Sequence, residues 1–251
     1  MLRGRKALIT GASRGIGKGI AQAFIRRGAR VIITGRDEEA LRLTCDELGP
    51  NATFFCWNVE DISNVYQNIE QIARMIDGLD IVVNNAGILV HNDWKKCFFD
   101  LTVEEWNQTL NTNLRSVFFI CQASAAYMIS HKIKGHILNI CSEMAFQPVF
   151  TSYGISKWGI RGLTQGLGLL LGPEGIIVNG IAPGPTATEM MHWKQGQSIE
   201  CLKHPNGRWG TVEEIGELAV FLTCGKGDNI VGQCIVSDGG HVLIGRGQGP
   251  L

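Results

Sequence analysis

The sequence predicts an α/β fold, namely a doubly wound parallel sheet of about seven strands with helices on both faces. Short apolar segments that stop at a glycine or a polar residue alternate with segments of helical periodicity along the whole chain. Neither a linker nor an internal repeat interrupts this alternation, and 251 residues suit one large α/β domain. We therefore interpret residues 1–251 as a single domain.

Charge and composition argue against several classes of protein. Lysine and arginine together number 23, as do aspartate and glutamate, and no basic stripe is present, so nucleic acid and anionic membranes are not expected as partners. No apolar run is long enough to span a bilayer, and the N-terminus lacks a signal-peptide pattern, so we expect a cytoplasmic protein. The eight cysteines and six histidines show no metal-ligand spacing, and we expect reduced, mostly buried cysteines and no metal site.

The first strand and the turn after it suit a pyrophosphate. Residues 7–10 predict a buried strand, and a helical pattern begins after the glycine turn that follows. Such a turn at a helix N-terminus presents backbone N–H groups to phosphate oxygens. The spacing Gly-x3-Gly-x-Gly differs from the more familiar Gly-x-Gly-x2-Gly, and a tight turn without a ligand is the alternative. The candidate contacts are Gly11, Ser13, Arg14, Gly15, Ile16 and Gly17.

The end of the second strand bears on the choice of cofactor. Residues 30–34 predict this strand, and no acidic group stands directly at its end, where dinucleotide sites often bind a ribose hydroxyl. Arg36 stands near that end, and together with Arg14 it suits the 2′-phosphate of NADP(H), which we favour over NAD(H). The alternative for Arg36 is a solvated charge at the strand end. Asp37 fits as the N-cap of the next helix, and it also leaves NAD(H) as the alternative cofactor.

The remaining elements alternate in the same way. Further strands are predicted at residues 53–57, 79–83, 135–142, 176–181 and 233–236. Helices are predicted up to residue 48, at 62–76, from 103 onward behind a capping box of Thr102 and Glu105, from 153 to about 171, and at 212–223. Parallel sheets bind ligands outside the carboxyl ends of their strands, so the glycine turn, Asn85, Ser142 and the segment after Ile181 should meet at one edge.

Tyr153 and Lys157 form a candidate acid–base pair. They are four residues apart, so a helix would place them on one face. A neighbouring ammonium favours the phenolate, so we expect Lys157 to lower the pKa of Tyr153 and to make it a proton shuttle for an alcohol oxygen. The alternative is a surface pair that merely shares a helix face. Asn113, a poor helix former within a predicted helix, has either a functional role or a solvent-facing position.

Several motifs follow one another in a fixed order. These are the glycine turn at residues 10–17, Asn-Asn-Ala-Gly at 84–87, Pro-Gly with Thr188 after the sixth strand, and Ser-Asp-Gly-Gly at 237–240. With Asn113, Ser142, Tyr153 and Lys157 between them, they resemble the short-chain dehydrogenase/reductase family over essentially the full chain. The resemblance implies a Rossmann-type domain that transfers hydride between a nicotinamide cofactor and a small-molecule substrate.

The resemblance also implies a role for each site residue. Tyr153 is the general acid–base, Lys157 lowers its pKa and binds the nicotinamide ribose, Ser142 orients the substrate oxygen, and Asn113 holds a water of a proton relay. A homotetramer or homodimer is implied, built partly on the helices of Asn113 and Tyr153. Cofactor contacts, besides the glycine turn and Arg36, are assigned to Asn58, Val59, Asn85, Ala86, Gly87, Tyr153, Lys157, Pro183, Gly184, Thr186 and Thr188.

Three features depart from the family pattern. Asn58 stands where an aspartate is usual near the adenine, Ser142 and Tyr153 are only eleven positions apart, and Glu143 follows Ser142 directly. We expect the short loop and Glu143 to reshape the substrate pocket. Several apolar residues could line that pocket, although core packing is favoured for any single one: Trp94, Met144, Phe146, Phe150, Met190, Met191 and Trp193.

The predicted function is an NADP(H)-dependent oxidoreductase that interconverts a carbonyl and a secondary alcohol, with reduction slightly favoured. A 3-oxoacyl thioester, a sugar or polyol, or a cyclic ketone would each fit as substrate. The alternatives are an NAD(H)-dependent alcohol dehydrogenase of the same family and a sensor or scaffold that binds NADP(H) without turnover. The glycine-rich segment 245–251 predicts flexibility.

Overall fold

A seven-stranded parallel sheet forms the centre of the protein, in a computed structural model that describes residues 1–91 and 93–244. The strands are β1 (Lys6–Thr10), β2 (Arg30–Gly35), β3 (Ala52–Cys56), β4 (Ile81–Asn84), β5 (His136–Ile140), β6 (Ile177–Pro183) and β7 (Cys234–Ser237). Their spatial order is β3-β2-β1-β4-β5-β6-β7, which confirms the predicted doubly wound sheet. The order reverses between β1 and β4, and a crevice for ligands forms at such a switch point.

Helices cover both faces of the sheet. They are α1 (Gly15–Arg26), α2 (Glu38–Leu48), α3 (Val65–Ile76), α4 (Trp94–Phe98), α5 (Val103–Leu110), α6 (Ser116–Ser130), α7 (Ser152–Leu171), α8 (Val212–Thr223) and α9 (His241–Ile244). One buried apolar layer packs α3, α6 and α7 on the sheet, and a second packs α1, α2 and α8 on the opposite face. The buried strand residues are apolar on both sides for this reason, as expected of a parallel sheet between two helix layers.

The local capping predictions are confirmed. The Asp37 side chain accepts a hydrogen bond from the backbone N–H of Ala40 at 3.0 Å, so it caps α2. Thr102 and Glu105 form the reciprocal capping box that starts α5. These short-range hydrogen bonds depend only on residues three apart, which is why the sequence could predict them.

Two predicted elements differ from the structure. The single helix expected from residue 103 is interrupted by a π-helical turn, Asn111–Arg115, between α5 and α6. The strand expected at 135–142 is shorter, because β5 ends at Ile140 and the chain turns into a 3₁₀ helix, Glu143–Phe146. Ser142 therefore leaves the sheet and becomes the N-cap of this 3₁₀ helix. The short helices α4 and α9 were not predicted.

A buried polar chain joins β4, β5 and α7 beneath the sheet edge. The Asn84 side-chain amide donates to Asn139 Oδ1 at 2.9 Å, and the Asn139 amide donates to Thr164 Oγ1 at 3.0 Å. Asn139 and Thr164 are fully buried and out of reach of water, so these hydrogen bonds pair polar groups that would otherwise lack a partner. This chain fixes α7, which carries the candidate acid–base pair, against the strand that ends at Ser142.

No helix within residues 1–91 and 93–244 has the length and hydropathy needed to cross a membrane. All eight cysteines are free, as predicted. Their burial is only partly as predicted, because three are buried, four are half-buried and Cys56 is exposed.

Candidate active site

The glycine turn lies so close to the end of β4 that side chains are excluded between them. Gly11 has a φ of 62°, and a Cβ on it would lie 2.7 Å from the Cα of Ala86. A Cβ on Gly17 would lie 2.4 Å from Nδ2 of Asn85 and 2.7 Å from the carbonyl oxygen of Gly11. The structure thus brings the turn and the Asn-Asn-Ala-Gly motif together, as the sequence predicted.

The Asn85 side chain braces this turn. Its amide donates to the carbonyl oxygens of Thr10 and Gly11, at 2.9 and 2.8 Å. The Thr10 hydroxyl in turn accepts hydrogen bonds from the backbone N–H groups of Asn85 and Ala86. The amide donor of Asn85 is therefore used inside the protein, and Thr10 is a supporting residue that the sequence reasoning missed.

Helix α1 begins without a side-chain cap, and this leaves its first backbone N–H groups available to a ligand. Arg14 occupies the N-cap position with an extended backbone and an exposed side chain, whereas α2, α5, α7 and α8 each have a capping Asp or Thr. Gly15, the first helical residue, has a φ of 56° and lies beside Thr188 of the loop after β6. Uncapped N–H groups and the positive helix end fit a pyrophosphate.

The corner formed by the ends of β2 and β3 is exposed. Arg36 and Asn58 are both exposed there, and Val59 is buried behind them. The Asn58 side-chain oxygen accepts from the backbone N–H of Glu60, which leaves its amide group directed elsewhere. Neither Arg36 nor Arg14 forms an ion pair with any residue that the structure describes. Both guanidinium groups are thus available to an anionic ligand.

Asn113 lies in the π-helical turn and is fully buried, so the solvent-facing alternative is wrong. Its side-chain oxygen accepts from the backbone N–H of Ile88 at 2.8 Å, and its amide donates to the carbonyl oxygen of Ile88 at 2.9 Å and to Ser156 Oγ at 3.3 Å. This pairing holds the chain that leaves β4 through Gly87. A π turn shifts the following residues by one position and is frequent at functional sites.

Lys157 is buried between α7 and the end of β5. Its ammonium group donates to the carbonyl oxygen of Ile140 at 2.9 Å, and burial lowers its pKa. The Nζ atom lies 3.7 Å from the position that a Cβ on Gly87 would take, on the same side as Asn113 Oδ1. The structure therefore brings Asn113, Lys157 and Gly87 into one group.

Tyr153 and Ser142 face each other across the short loop between β5 and α7. Burial raises the pKa of Tyr153 to about 12, its hydrogen bond with Ser142 opposes this shift, and neighbouring Cys141 and Glu143 add to it. The prediction that Lys157 lowers this pKa is wrong for this structure. The Lys157 ammonium lies 5.5 Å from the centre of the Tyr153 ring and donates to the carbonyl oxygen of Ile140, and burial of the phenol sets the direction of the shift.

The loop after β6 closes the edge from the other side. Thr186 and Thr188 are buried, and their hydroxyls donate to the carbonyl oxygens of Gly184 and Thr186, respectively. Pro183 ends β6, and the backbone N–H of Gly184 bonds to the end of β7 at Ser237. These bonds fix the loop in a single path beside Gly15.

The apolar residues proposed for a pocket separate into different environments. Phe146 packs on the core and lies under the Arg161 guanidinium, 4.1 Å from its ring centre. Phe150 and Met190 are substantially exposed, and Phe150 contacts Phe98 edge to face. Met144, Met191 and Trp193 are half-buried. The Trp94 side chain and the glycine-rich segment 245–251 lie outside the described residues.

The contact between Glu143, next to Ser142, and a distant histidine is the main feature that the sequence did not reveal. Glu143 contacts His241, which is 98 positions further along the chain. The sequence indicated that Glu143 would reshape the site, but nothing in it pointed to His241 as the partner. In the described part of the chain no group of three or more potential ligands could hold a metal ion, and no metal was expected.

The fold and the site define the class of protein. A parallel sheet with its switch point beside an uncapped glycine turn, and with serine, tyrosine and lysine at the same edge, is the organisation of a nicotinamide-dependent oxidoreductase.

The chain belongs to the short-chain dehydrogenase family, whose model, described as short chain dehydrogenase, matches residues 5–198. It is 36% identical over 249 residues to gluconate 5-dehydrogenase of Gluconobacter oxydans, with 95% of each chain covered. It is 32% identical to a 3-oxoacyl-[acyl-carrier-protein] reductase of Aquifex aeolicus, over 95% of this chain and 98% of that protein.

A solved structure agrees with this assignment. The 3-ketoacyl-(acyl-carrier-protein) reductase of Brucella melitensis, solved in complex with NADH, is 27% identical and superposes with a TM-score of 0.86. The match covers 96% of this chain and 100% of that chain. The protein is therefore an oxidoreductase of a family that uses NAD(P)(H).

Proposed function

We propose that the protein is an NADP(H)-dependent reductase that converts a carbonyl to a secondary alcohol, with Tyr153 as the proton donor. The observation that carries this proposal is the meeting of Ser142, Tyr153 and Lys157 at the sheet edge beside the glycine turn. The pKa of Tyr153 is not lowered in this structure, so its hydroxyl is protonated at neutral pH, as in any ordinary tyrosine. A protonated phenol is the form that can donate a proton to the alkoxide that develops during reduction.

Each residue of the site has a distinct part in the proposed reaction. Ser142, which lies beside the Tyr153 phenol, orients the substrate oxygen toward it. Lys157 holds the cofactor ribose and returns a proton to Tyr153 after turnover, while Asn113 fixes the Ile88 backbone that forms the floor of the site. Since the Asn113 side chain is fully engaged, we assign the relay water to the main chain of the π-helical turn. A bound nicotinamide would supply the hydride.

The cofactor would lie along the edge from the β2–β3 corner to Tyr153. The α1 N-terminus would bind the pyrophosphate, and the loop Pro183–Thr188 would cover the nicotinamide side. We propose NADP(H) because two unpaired guanidinium groups, Arg14 and Arg36, lie where a 2′-phosphate would add negative charge. NAD(H) is the competing assignment, and the Brucella melitensis relative was solved with NADH.

Replacing Arg36 with alanine tests the cofactor assignment. We expect NADPH to bind roughly 10- to 100-fold more weakly, since a hydrogen bond to a charged group contributes about 1.5–3 kcal/mol, whereas NADH binding should not change. Titration of cofactor fluorescence measures both dissociation constants. Arg42→Ala is the matched control, because Arg42 is an exposed arginine on α2 that pairs with Glu39 and Asp46. Equal or tighter binding of NADH by the wild type would show that Arg36 is only a surface charge.

The substrate class is proposed from the relatives. The named relatives act on a gluconate and on an acyl-carrier-protein thioester, so we propose a ketose, keto-acid or 3-oxoacyl substrate. Turnover of NADPH with a panel of these carbonyl compounds would identify the class. Cofactor binding without turnover on the whole panel would instead favour a sensor or scaffold.

We also propose a homotetramer, in which copies of this chain cover an exposed stripe on α7. Ile155, Trp158 and Leu169 on this stripe are 38%, 43% and 84% exposed, and Gly162 and Gly166 between them have open space above them. A stripe of apolar side chains with glycines allows a second helix to approach closely.

Gly162→Phe should therefore reduce the mass measured by light scattering from about four chains to fewer. The isolated subunit has room for the ring, so its fold should be unaffected. Leu43→Phe, at an exposed position on α2, should keep the wild-type mass. A monomeric wild type would contradict the proposal.

A further inference from the structure

Glu143 is the most buried carboxylate near the site. Its side chain is only 7% exposed, although it directly follows Ser142. Both carboxylate oxygens contact Nδ1 of His241, at 2.9 and 3.0 Å. Burying a carboxylate is costly unless it is paired, so a chain that retains one beside a reacting hydroxyl requires an explanation.

The partner of Glu143 comes from the C-terminal segment. His241 starts α9, and the preceding Asp238 fixes the turn by accepting from the backbone N–H groups of Gly240 and Val242, at 2.8 and 2.7 Å. The imidazole is 37% exposed on one side and contacts Glu143 on the other. The pair therefore joins the end of β5 to the segment after β7.

The cofactor-side turn at Gly184 is packed into the same group. A Cβ on Gly184 would lie 2.9 Å from Oε2 of Glu143 and 2.5 Å from Cβ of Asp238. The turn can occupy this position only because Gly184 has no side chain, so a shift of Glu143 would also move the turn. Glu143 is thus linked to Ser142, its neighbour in the sequence, and to Gly184, which packs against its carboxylate.

The loop between β6 and α8 also reaches this group. The His204 ring stacks on His241, with ring centres 4.5 Å apart and planes at 17°. His204 is buried and its Nδ1 atom has no hydrogen-bond partner in the described structure, while burial lowers its pKa. His204 thus packs against the far side of the His241 ring, while the Nδ1 atom of His241 contacts the Glu143 carboxylate.

We propose that Glu143, anchored by His241, is a positioning residue that holds Ser142 and the Gly184 turn in register at the edge of the site. This inference rests on the proposed function for the role of Ser142, but the geometry of the Glu143–His241 pair is independent of it.

Several titratable groups lie around Glu143. His241 faces it from α9 and Asp238 from the turn before it, Tyr153 lies on α7, and His204 lies behind His241. Burial raises the pKa of Glu143, contact with His241 opposes that shift, and neighbouring Asp238 adds to it. Glu143 in turn raises the pKa of Tyr153, which makes the phenolate harder to form.

Glu143→Gln tests the proposal, since the amide preserves the shape of the side chain and removes its charge. We expect kcat for carbonyl reduction to fall roughly tenfold through loss of positioning, while the NADPH dissociation constant changes by less than about threefold. The phenolate absorbance of Tyr153, isolated by subtracting Tyr153→Phe spectra, should appear at lower pH than in the wild type. Because burial also raises this pKa, thermal unfolding is measured on the same variant, and an unchanged unfolding midpoint shows that the shift does not come from a loosened fold.

Asp228→Asn is the matched control. Asp228, in the segment between α8 and β7, contacts Nε2 of His136 at 3.0 Å at the opposite end of β5 from Ser142, so the same chemical change removes a carboxylate–histidine contact away from the site. It should leave kcat and the tyrosine titration at wild-type values. His241→Ala is the second variant in case Glu143→Gln does not fold, and it should also lower kcat without weakening NADPH binding.

The outcomes separate this inference from the proposed function. If the wild type reduces a carbonyl and Glu143→Gln keeps the wild-type kcat and tyrosine titration, the positioning role is wrong and the proposed function stands. The positioning role is also wrong if His241→Ala keeps the wild-type kcat. If the wild type reduces no carbonyl, the proposed function fails. A Tyr153 phenolate that forms at lower pH in Glu143→Gln would still show that the Glu143 carboxylate acts on Tyr153.

Discussion

Replacing Tyr153 with phenylalanine should lower kcat by about 10²–10⁴-fold, the range that a positioned acid–base group contributes. The substitution removes one oxygen atom and keeps the ring, so the packing around Ser142 and Lys157 should be preserved. NADPH should therefore bind with nearly unchanged affinity. Steady-state kinetics with a carbonyl substrate give kcat, and a fluorescence titration gives the dissociation constant of NADPH.

The chain offers a matched control for this substitution. Tyr127 lies on α6, away from the sheet edge, and its ring stacks on His131 with ring centres 4.1 Å apart. Tyr127→Phe should keep wild-type kcat. Substantial activity in Tyr153→Phe would show that another group donates the proton, and loss of cofactor binding would show that the phenol holds the ribose instead.

The pH dependence of reduction follows from the same residue. Because burial raises the pKa of Tyr153 to about 12, the phenol stays protonated well above neutral pH. Reduction should therefore keep its kcat up to about pH 9, where an ordinary tyrosine has barely begun to ionise. A loss of kcat with a midpoint near neutral pH would mean that bound cofactor or substrate lowers the pKa strongly, as the resemblance to the family implied for Lys157.

Gly17→Ala should abolish measurable cofactor binding, which is the second large effect we expect. The added Cβ would lie 2.4 Å from Asn85 Nδ2 and 2.7 Å from the Gly11 carbonyl oxygen, distances that real contacts do not show. Either the Asn85 brace or the turn itself must move, and overpacking of this kind costs about 1–3 kcal/mol. Fluorescence titration with NADPH, together with thermal unfolding, would separate the loss of binding from the loss of stability.

Gly166→Ala is the control for a glycine-to-alanine change on a helix. Gly166 lies inside α7, is exposed, and a Cβ on it would meet no atom within 4 Å. This variant should bind cofactor normally and be as stable as the wild type or slightly more stable, since alanine has the higher helix propensity. Tight NADPH binding by Gly17→Ala would mean that the turn does not hold the pyrophosphate.

The sequence was sufficient for the fold because its signals are local. Short apolar runs alternating with helical periodicity predicted the parallel sheet, and Asp37 and Thr102 predicted helix starts through hydrogen bonds spanning three residues. The same locality explains the errors. The π-helical turn at Asn111–Arg115 and the early end of β5 at Ile140 are not encoded in any short pattern, because they depend on what packs against them.

For the candidate site, the sequence by itself determined which side chains reach the sheet edge. Ser142, Tyr153 and Lys157 follow from strand ends and from helical spacing, which the chain fixes residue by residue. Only the tertiary structure decided how they are paired and charged. Lys157 bonds to Ile140, Asn113 bonds to Ile88, and Glu143 meets His241 across 98 positions of chain. A pKa depends on burial and on charges brought near through space, and sequence spacing carries neither quantity.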